Sequence, residues 1–142
     1  MRALVSVLAA VGCLLLSGCS PVVDVEFHNG TRQPIVVTNV AQPTFHASIP
    51  ARESAPVDVL VLRSGYPEEF TIAVGDRVWI YRHHTIFLGS VGREYWQHGP
   101  LESKRLHVSV DSHGRIYLLS SSGAPVAQPS GFPIHPDEQK KI

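Results

Sequence analysis

The histidines carry the most versatile chemistry in this sequence. The chain has 8 of them, and imidazole both binds metal ions and titrates near neutral pH. His83, His84 and His113 are the first candidates for a metal site. His83 and His84 are adjacent, however, so on one strand their side chains point to opposite faces. No His-x-His or His-x-x-x-His pair occurs, so we expect solvated surface histidines, no bound metal and no other cofactor.

Hydrolytic chemistry has less support in the sequence. No Gly-x-Ser-x-Gly turn for a serine nucleophile is present. The 12 acidic residues fall in predicted turns or on outward strand faces, without the apolar setting that raises a catalytic carboxyl pKa. We therefore expect no enzymatic activity. A small hydrolase would need a Ser–His contact or a buried carboxylate in a cleft.

Aromatic side chains offer a binding surface instead. Tyr81, Tyr95 and Trp96 can line a site for a partner or glycan, because amphipathic rings are common at interfaces. Tyr95 and Trp96 lie in a glycine-punctuated connection over residues 89–100, and core packing is an equal alternative for them. We name these two as candidate partner-binding residues and expect Trp79 to fill the core.

The N-terminus predicts export from the cytoplasm. Arg2 precedes an uncharged apolar run over residues 3–16, which has the length of a signal-peptide core and is too short to span a membrane. The run ends in Leu16-Ser17-Gly18-Cys19. This ending resembles the lipobox of bacterial lipoproteins at all four positions. An ordinary signal peptide, or a cytosolic N-terminus with Cys19 there by chance, is the alternative.

The lipoprotein resemblance implies a bilayer partner. In that family the cysteine at the position of Cys19 carries a diacylglyceryl thioether, and residues 1–18 are removed. Two acyl chains anchor a protein stably. Ser20 stands where Asp would retain the protein at the inner membrane, so the resemblance implies the periplasmic face of the outer membrane. Cys13 leaves with the signal, and no thiol remains free for a disulfide. Residues 19–21 form a tether with a reach of about 10 Å.

The remaining chain alternates apolar and polar residues as strands do. Two hairpins are predicted, one over residues 70–81 around Gly75-Asp76 and one over residues 106–119 around a turn at 111–114. In the first, Phe70 pairs with Tyr81, Ile72 with Trp79 and Val74 with Arg77. Its faces are both apolar, so this hairpin is expected at the centre of the fold. A turn is expected at Asn29-Gly30, because both residue types tolerate positive φ.

Further strands are predicted over residues 23–28, 35–40, 45–49, 57–62 and 85–88. This spacing, without helical periodicity, indicates a single antiparallel β-sandwich or an open barrel over residues 22–120. The corner from Ile49 to Ser54 resembles that of bacterial immunoglobulin-like domains, which favours the sandwich. Arg52 stands where those domains usually have glycine. Residues 121–142 form a Pro/Ser-rich tail, either mobile or strapped to the body by Phe132 and Ile134.

Charge and architecture limit the functions of this domain. Twelve basic and 12 acidic residues balance, which argues against nucleic-acid binding. We expect a non-catalytic binding or structural module that docks an envelope protein or polymer through residues 89–100 or an exposed strand edge. The alternative is a histidine-based metal-binding or pH-responsive periplasmic protein.

Overall fold

The computed structural model describes residues 23–40, 43–44, 46–57, 69–82, 91–100 and 103–142. The predicted signal at 1–18, the lipidation site Cys19, the strand at 85–88 and most of that at 57–62 lie outside these residues. The strands are β1 (Val23–Asn29), β2 (Ile35–Asn39), β3 (His46–Ile49), β4 (Ser54–Val57), β5 (Glu69–Val74), β6 (Arg77–Arg82), β7 (Trp96–His98), β8 (Lys104–Val110), β9 (Ile116–Leu118) and β10 (Glu138–Lys141). A 3₁₀ turn covers Arg93–Tyr95. Within the described ranges, no helix is long and apolar enough to span a bilayer.

The strands form two sheets that pack face to face. The first sheet has the order β4-β1-β8-β7, with β9 also paired to β8, and the second has the order β10-β6-β5-β2-β3. The predicted all-β sandwich is therefore confirmed. Among the described strands, the ladder between β1 and β8 is parallel and the others are antiparallel. Parallel neighbours require a long crossover, which here passes through the second sheet.

The core lies between the sheets and follows the predicted alternation. In β1, Val25 and Phe27 are fully buried while Glu26 and His28 are half-exposed. The ring of Phe70 stacks on Tyr81 with centroids 4.6 Å apart, and Phe27 of the opposite sheet meets Phe70 edge-on at 6.4 Å. These contacts join the two sheets through apolar side chains, the main favourable term in folding.

Both predicted hairpins are confirmed, the first of them in its predicted register. In the first, Phe70 pairs with Tyr81, Ile72 with Trp79 and Val74 with Arg77, and the hairpin lies inside its sheet. Gly75 has φ +56°, as a type II′ turn requires at its first central position. In the second, Val110 pairs with Ile116.

The chain turns after Asn29 as predicted and β2 starts at Ile35, but this turn does not close a hairpin. Residues 30–34 connect β1 to β2, which lie in different sheets, so they cross the sandwich rather than close a hairpin. Gly30 is not among the residues of positive φ. A Cβ on Gly30 would lie 2.6 Å from the carbonyl oxygen of Val110. Close backbone approach, rather than a left-handed conformation, therefore requires the glycine.

Two further strands differ from the expectation. β4 occupies Ser54–Val57, a stretch predicted to be mostly a polar connection, and pairs with β1 from Val57 opposite Val25 to Ser54 opposite His28. Its Pro56 is tolerated because β4 lies at the edge of the sheet. The predicted irregular connection at 89–100 contains β7, which pairs with β8.

The C-terminal tail is strapped to the sandwich. Ile134 is 2% exposed and joins the core. Its backbone exchanges two hydrogen bonds with Ile116 of the first sheet, at 2.8 and 2.9 Å. The chain then crosses to the second sheet, where β10 pairs with β6. The tail thus connects both sheets, and Phe132 packs against the core as expected of a strap.

Candidate functional site

One end of the sandwich gathers several of its loops. Asn29 pairs with Val110, so β1 and β8 end together there. Ile35 pairs with both Ile49 and Val74, which brings the turns after β3 and β5 to the same level of the second sheet. We call this the loop end, formed by residues 30–34, 50–53, 75–76 and 111–115. It is opposite to the start of β1 at Val23.

The side chain of Asn29 holds two of these loops together. Its Nδ2 donates to the carbonyl oxygens of Gln33 at 2.8 Å and Ile49 at 3.0 Å, and also lies 3.1 Å from that of Pro50. Its Oδ1 accepts from the backbone N–H and the hydroxyl of Thr31 at 2.9 and 2.7 Å. Asn29 is fully buried, and these bonds satisfy its amide. The loop end is therefore organised from within.

A cleft of about 470 Å³ opens between these loops. Three arginine side chains line it, one from each of three segments: Arg32 after β1, Arg52 in the turn between β3 and β4, and Arg77 at the start of β6. All three are exposed. Buried Val74 and Trp79 form the apolar floor. We call this site the arginine cleft.

The arginine cleft has a concentrated positive charge. None of the described residues that line it is an Asp or Glu. Among the described residues, none of the ion pairs involves Arg32, Arg52 or Arg77. The guanidinium of Arg77 lies 5.7 Å from the ring centroid of Trp79, a cation–π distance.

Two carboxylates of the loop end, those of Asp111 and Asp76, contact other cations. Arg115 Nη2 lies 2.7 Å from Asp111 Oδ2, and Lys141 Nζ lies 3.5 Å from Asp76 Oδ2. Partial burial tends to raise the pKa of Asp111. The backbone N–H groups of Arg115 and His113, and then the guanidinium of Arg115, outweigh that effect and lower this pKa below its usual value. Asp111 therefore stays ionised within its own turn.

The backbone of Arg52 is left-handed. Its φ of +67° makes it the non-glycine residue of positive φ in the described ranges. Such a conformation costs an L-residue about 1 kcal/mol or more, whereas glycine adopts it without a Cβ clash. The N–H of Arg52 donates to the carbonyl of Asn29 at 2.9 Å, and this bond helps to hold the conformation.

The turn at 111–114 forms as predicted. Asp111 Oδ1 accepts hydrogen bonds of 2.9 Å from the backbone N–H groups of His113 and Arg115, and Gly114 has φ +77°. The hydroxyl of Tyr81 donates to the carbonyl of Gly114 at 2.5 Å. Burial, with a smaller effect of Asp111, raises the pKa of Tyr81 far above its usual value. Tyr81 thus holds this turn onto the core as a neutral phenol.

The aromatic candidates face the core more than expected. Tyr81 is fully buried, so its predicted place on a binding surface is wrong. The register of β6 points it inward, where its ring stacks on Phe70 and its hydroxyl bonds to the Gly114 carbonyl. Tyr95 and Trp96 are half-buried and pack against the core. Both side chains are still partly exposed. Their partner-binding role stays a prediction.

The histidine candidates are not brought together in the described structure. His113 is exposed in its turn, with Nδ1 3.9 Å from Asp111 Oδ2. His83 and His84 lie outside the described residues. Within the described ranges, no group of three metal-ligating side chains converges.

A serine and a histidine do contact each other on the outer face of the first sheet. His28 Nδ1 lies 3.1 Å from Ser54 Oγ, beside a hollow of about 210 Å³. The Glu26 carboxylate in this hollow lies 3.2 Å from Arg105. In the portion of the chain that the structure describes, no carboxylate hydrogen-bonds to the His28 ring, and Ser54 is exposed. The contact therefore lacks the oriented base that activates a serine.

Sequence reasoning missed the three arginines of the cleft. Each lies in or beside a turn: Arg32 follows Asn29-Gly30, Arg52 follows Pro50, and Arg77 follows Gly75-Asp76. Their shared position in turns was the available signal. It does not show which turns meet, because that depends on strand order and direction.

Comparison with known proteins gives no relative from which a role can be transferred. No protein-family model, curated protein or solved structure matches the chain.

Proposed function

We propose that the chain is a lipid-anchored cell-envelope protein that faces the periplasm and acts as a non-catalytic binding module. The lipobox-like Leu16-Ser17-Gly18-Cys19 supports the anchor. Residues 20–22 separate Cys19 from the start of β1, which limits the tether to about 10 Å. In this proposal the outer membrane holds the domain close to its periplasmic face.

The position of the arginine cleft relative to β1 is the observation that carries the binding role. Strand β1 starts at Val23 and ends at Asn29 beside the cleft. Seven residues of strand span about 20 Å. A domain tethered through Cys19 would therefore hold its arginine cleft away from the bilayer, where a periplasmic ligand or partner can reach it.

The anchor is tested by Cys19→Ala, with Cys13→Ala as the matched control, in a Gram-negative host. We expect the unchanged chain and Cys13→Ala to incorporate labelled palmitate and to fractionate with the outer membrane. Cys19→Ala should lose the label and keep residues 1–18, because lipoprotein processing requires the modified cysteine. Mass spectrometry of the N-terminal peptide reads both outcomes. An unmodified thiol at Cys19 in the mature chain would overturn the proposal.

A further inference from the structure

We propose that the arginine cleft binds a compact multivalent oxyanion, that is, a small molecule with two or more negative charges on phosphoryl or carboxyl groups. This ligand class rests on the binding role proposed above, and only the argument from the position of the cleft also uses the lipid anchor. It follows from the charge, the rigidity and the position of the cleft.

The charge of the cleft requires a negatively charged occupant. Arg32, Arg52 and Arg77 line one space, and the other described residues of its lining carry no carboxylate. The planar guanidinium presents two parallel N–H donors that match a phosphate or carboxylate. Three such groups around one volume disfavour an uncharged ligand and favour one whose own charge exceeds a single unit.

The cleft is organised before any ligand arrives. The segment that carries Arg32 is held by the Asn29 side chain, whose Nδ2 donates to the Gln33 carbonyl at 2.8 Å and whose Oδ1 accepts from the Thr31 hydroxyl at 2.7 Å. Arg77 is part of β6 and lies over the buried ring of Trp79. Fixed backbone positions reduce the entropy that is lost when a ligand orders these side chains.

Arg52 adds a second, independent indication. A glycine would adopt its left-handed φ without steric cost. An arginine at this position is less favourable for folding, and it supplies the third positive charge of the cleft. Strained residues are common in ligand sites, where the side chain serves binding.

The size and position of the cleft indicate a small soluble ligand. A volume of about 470 Å³ is within the range of small-molecule sites. The cleft lies at the far end of β1 from Val23, so in the anchored protein it would face away from the headgroups of its own membrane.

Isothermal titration of the full chain in a non-ionic detergent tests this proposal. The probes are pyrophosphate and citrate, with acetate as the monovalent control and glycerophosphoglycerol as a soluble lipid headgroup. We expect one saturable site that binds pyrophosphate or citrate at least about tenfold more tightly than acetate or the headgroup, since each added charge-assisted contact contributes about that factor. Tighter binding of the headgroup would overturn the assignment in favour of a lipid ligand.

Three cleft variants and one control locate the site. Arg32→Gln, Arg52→Gln and Arg77→Gln should each weaken pyrophosphate binding about tenfold. Arg93→Gln, at an exposed arginine on the 3₁₀ turn, should leave the affinity unchanged. Equal losses in Arg93→Gln, or no loss in the cleft variants, would show non-specific attraction and overturn the site.

Arg52→Gly separates binding from folding. This variant relieves the left-handed strain, so it should unfold at a higher temperature and still lose about tenfold in affinity for pyrophosphate. Unchanged affinity would contradict the role of Arg52. If no oxyanion binds in the titration, the ligand proposal is wrong, but the result for lipid on Cys19 is unaffected. The ligand and the lipid anchor are therefore tested independently.

Discussion

The carbonyl oxygen of Asn29 accepts a 2.9 Å hydrogen bond from the backbone N–H of Arg52. The backbone N–H of Asn29 in turn donates to the carbonyl of Glu53 at 2.8 Å. These two bonds join the end of β1 to the turn that precedes β4. They hold Arg52, whose backbone is strained, beside the end of β1. The same residue therefore affects both the stability of the loop end and its positive charge.

Asn29→Ala should lower the free energy of unfolding by about 3 kcal/mol, since it leaves several buried backbone groups and the Thr31 hydroxyl without their partner. Urea denaturation measures this loss. Gln97→Ala removes an exposed amide that contacts His107 at 2.9 Å and should change stability by less than about 0.5 kcal/mol. Similar losses in the two variants would contradict the central position of Asn29.

Arg52→Gly should raise the free energy of unfolding by about 1 kcal/mol, because glycine adopts a φ of +67° without a Cβ clash. Arg52→Ala is the matched control. It removes the same charge and keeps Cβ, so it should give no comparable gain. Chemical denaturation of both proteins measures the difference. A gain of equal size in Arg52→Ala would assign the effect to charge rather than to backbone conformation.

Gly114→Ala should destabilise the protein by about 3 kcal/mol, from a left-handed φ and from overpacking. A Cβ at this position would lie 2.6 Å from Cδ2 of the buried Trp79. Gly123→Ala has a similar φ of +80°, but its nearest contact would be 3.8 Å away, so it should cost only about 1 kcal/mol. Thermal unfolding of the pair checks this order. Equal losses would show that Trp79 moves aside freely.

The ionised Asp111 should make stability dependent on acid pH. The folded-state pKa of Asp111 is lowered, so between it and the unfolded value of about 3.9 the unfolded chain binds more protons. The contribution is fully present above about pH 5 and is lost as pH falls through the folded pKa. Asp111→Asn should therefore show a shallower fall in stability across this window, measured by urea denaturation at several pH values. Parallel curves for the two proteins would contradict this prediction.

Ile134→Ala should reduce the free energy of unfolding by about 3 kcal/mol, because it opens a cavity under the strap. Ile134 is 2% exposed and Ile142 is 79% exposed, so Ile142→Ala is a control that should have little effect. Loss of protection from hydrogen exchange at Ile116, which pairs with Ile134, would be a second sign of a loosened strap. A mobile tail would instead tolerate both changes equally.

The two hairpins show which features can be predicted from residues that are close together in the sequence. The pairing of Ile72 with Trp79 and the position of Gly114 follow from turn chemistry and alternation within a dozen residues. The end of β1 shows the limit. Asn29-Gly30 has the composition of a hairpin turn, yet Asn29 is a buried hydrogen-bonding centre and Gly30 is constrained by Val110, far along the chain.

The sequence by itself determined which side chains of β1 and β8 face the core, how β5 pairs with β6, where two turns lie, and that the N-terminus resembles a lipoprotein signal. These properties depend on residues close together in the chain. Only the tertiary structure decided the parallel pairing of β1 with β8, the strapping of the tail through Ile134, and the meeting of Arg32, Arg52 and Arg77 in one cleft. The reason is that these features depend on which distant strands become neighbours, and periodicity along a chain carries no information about that choice.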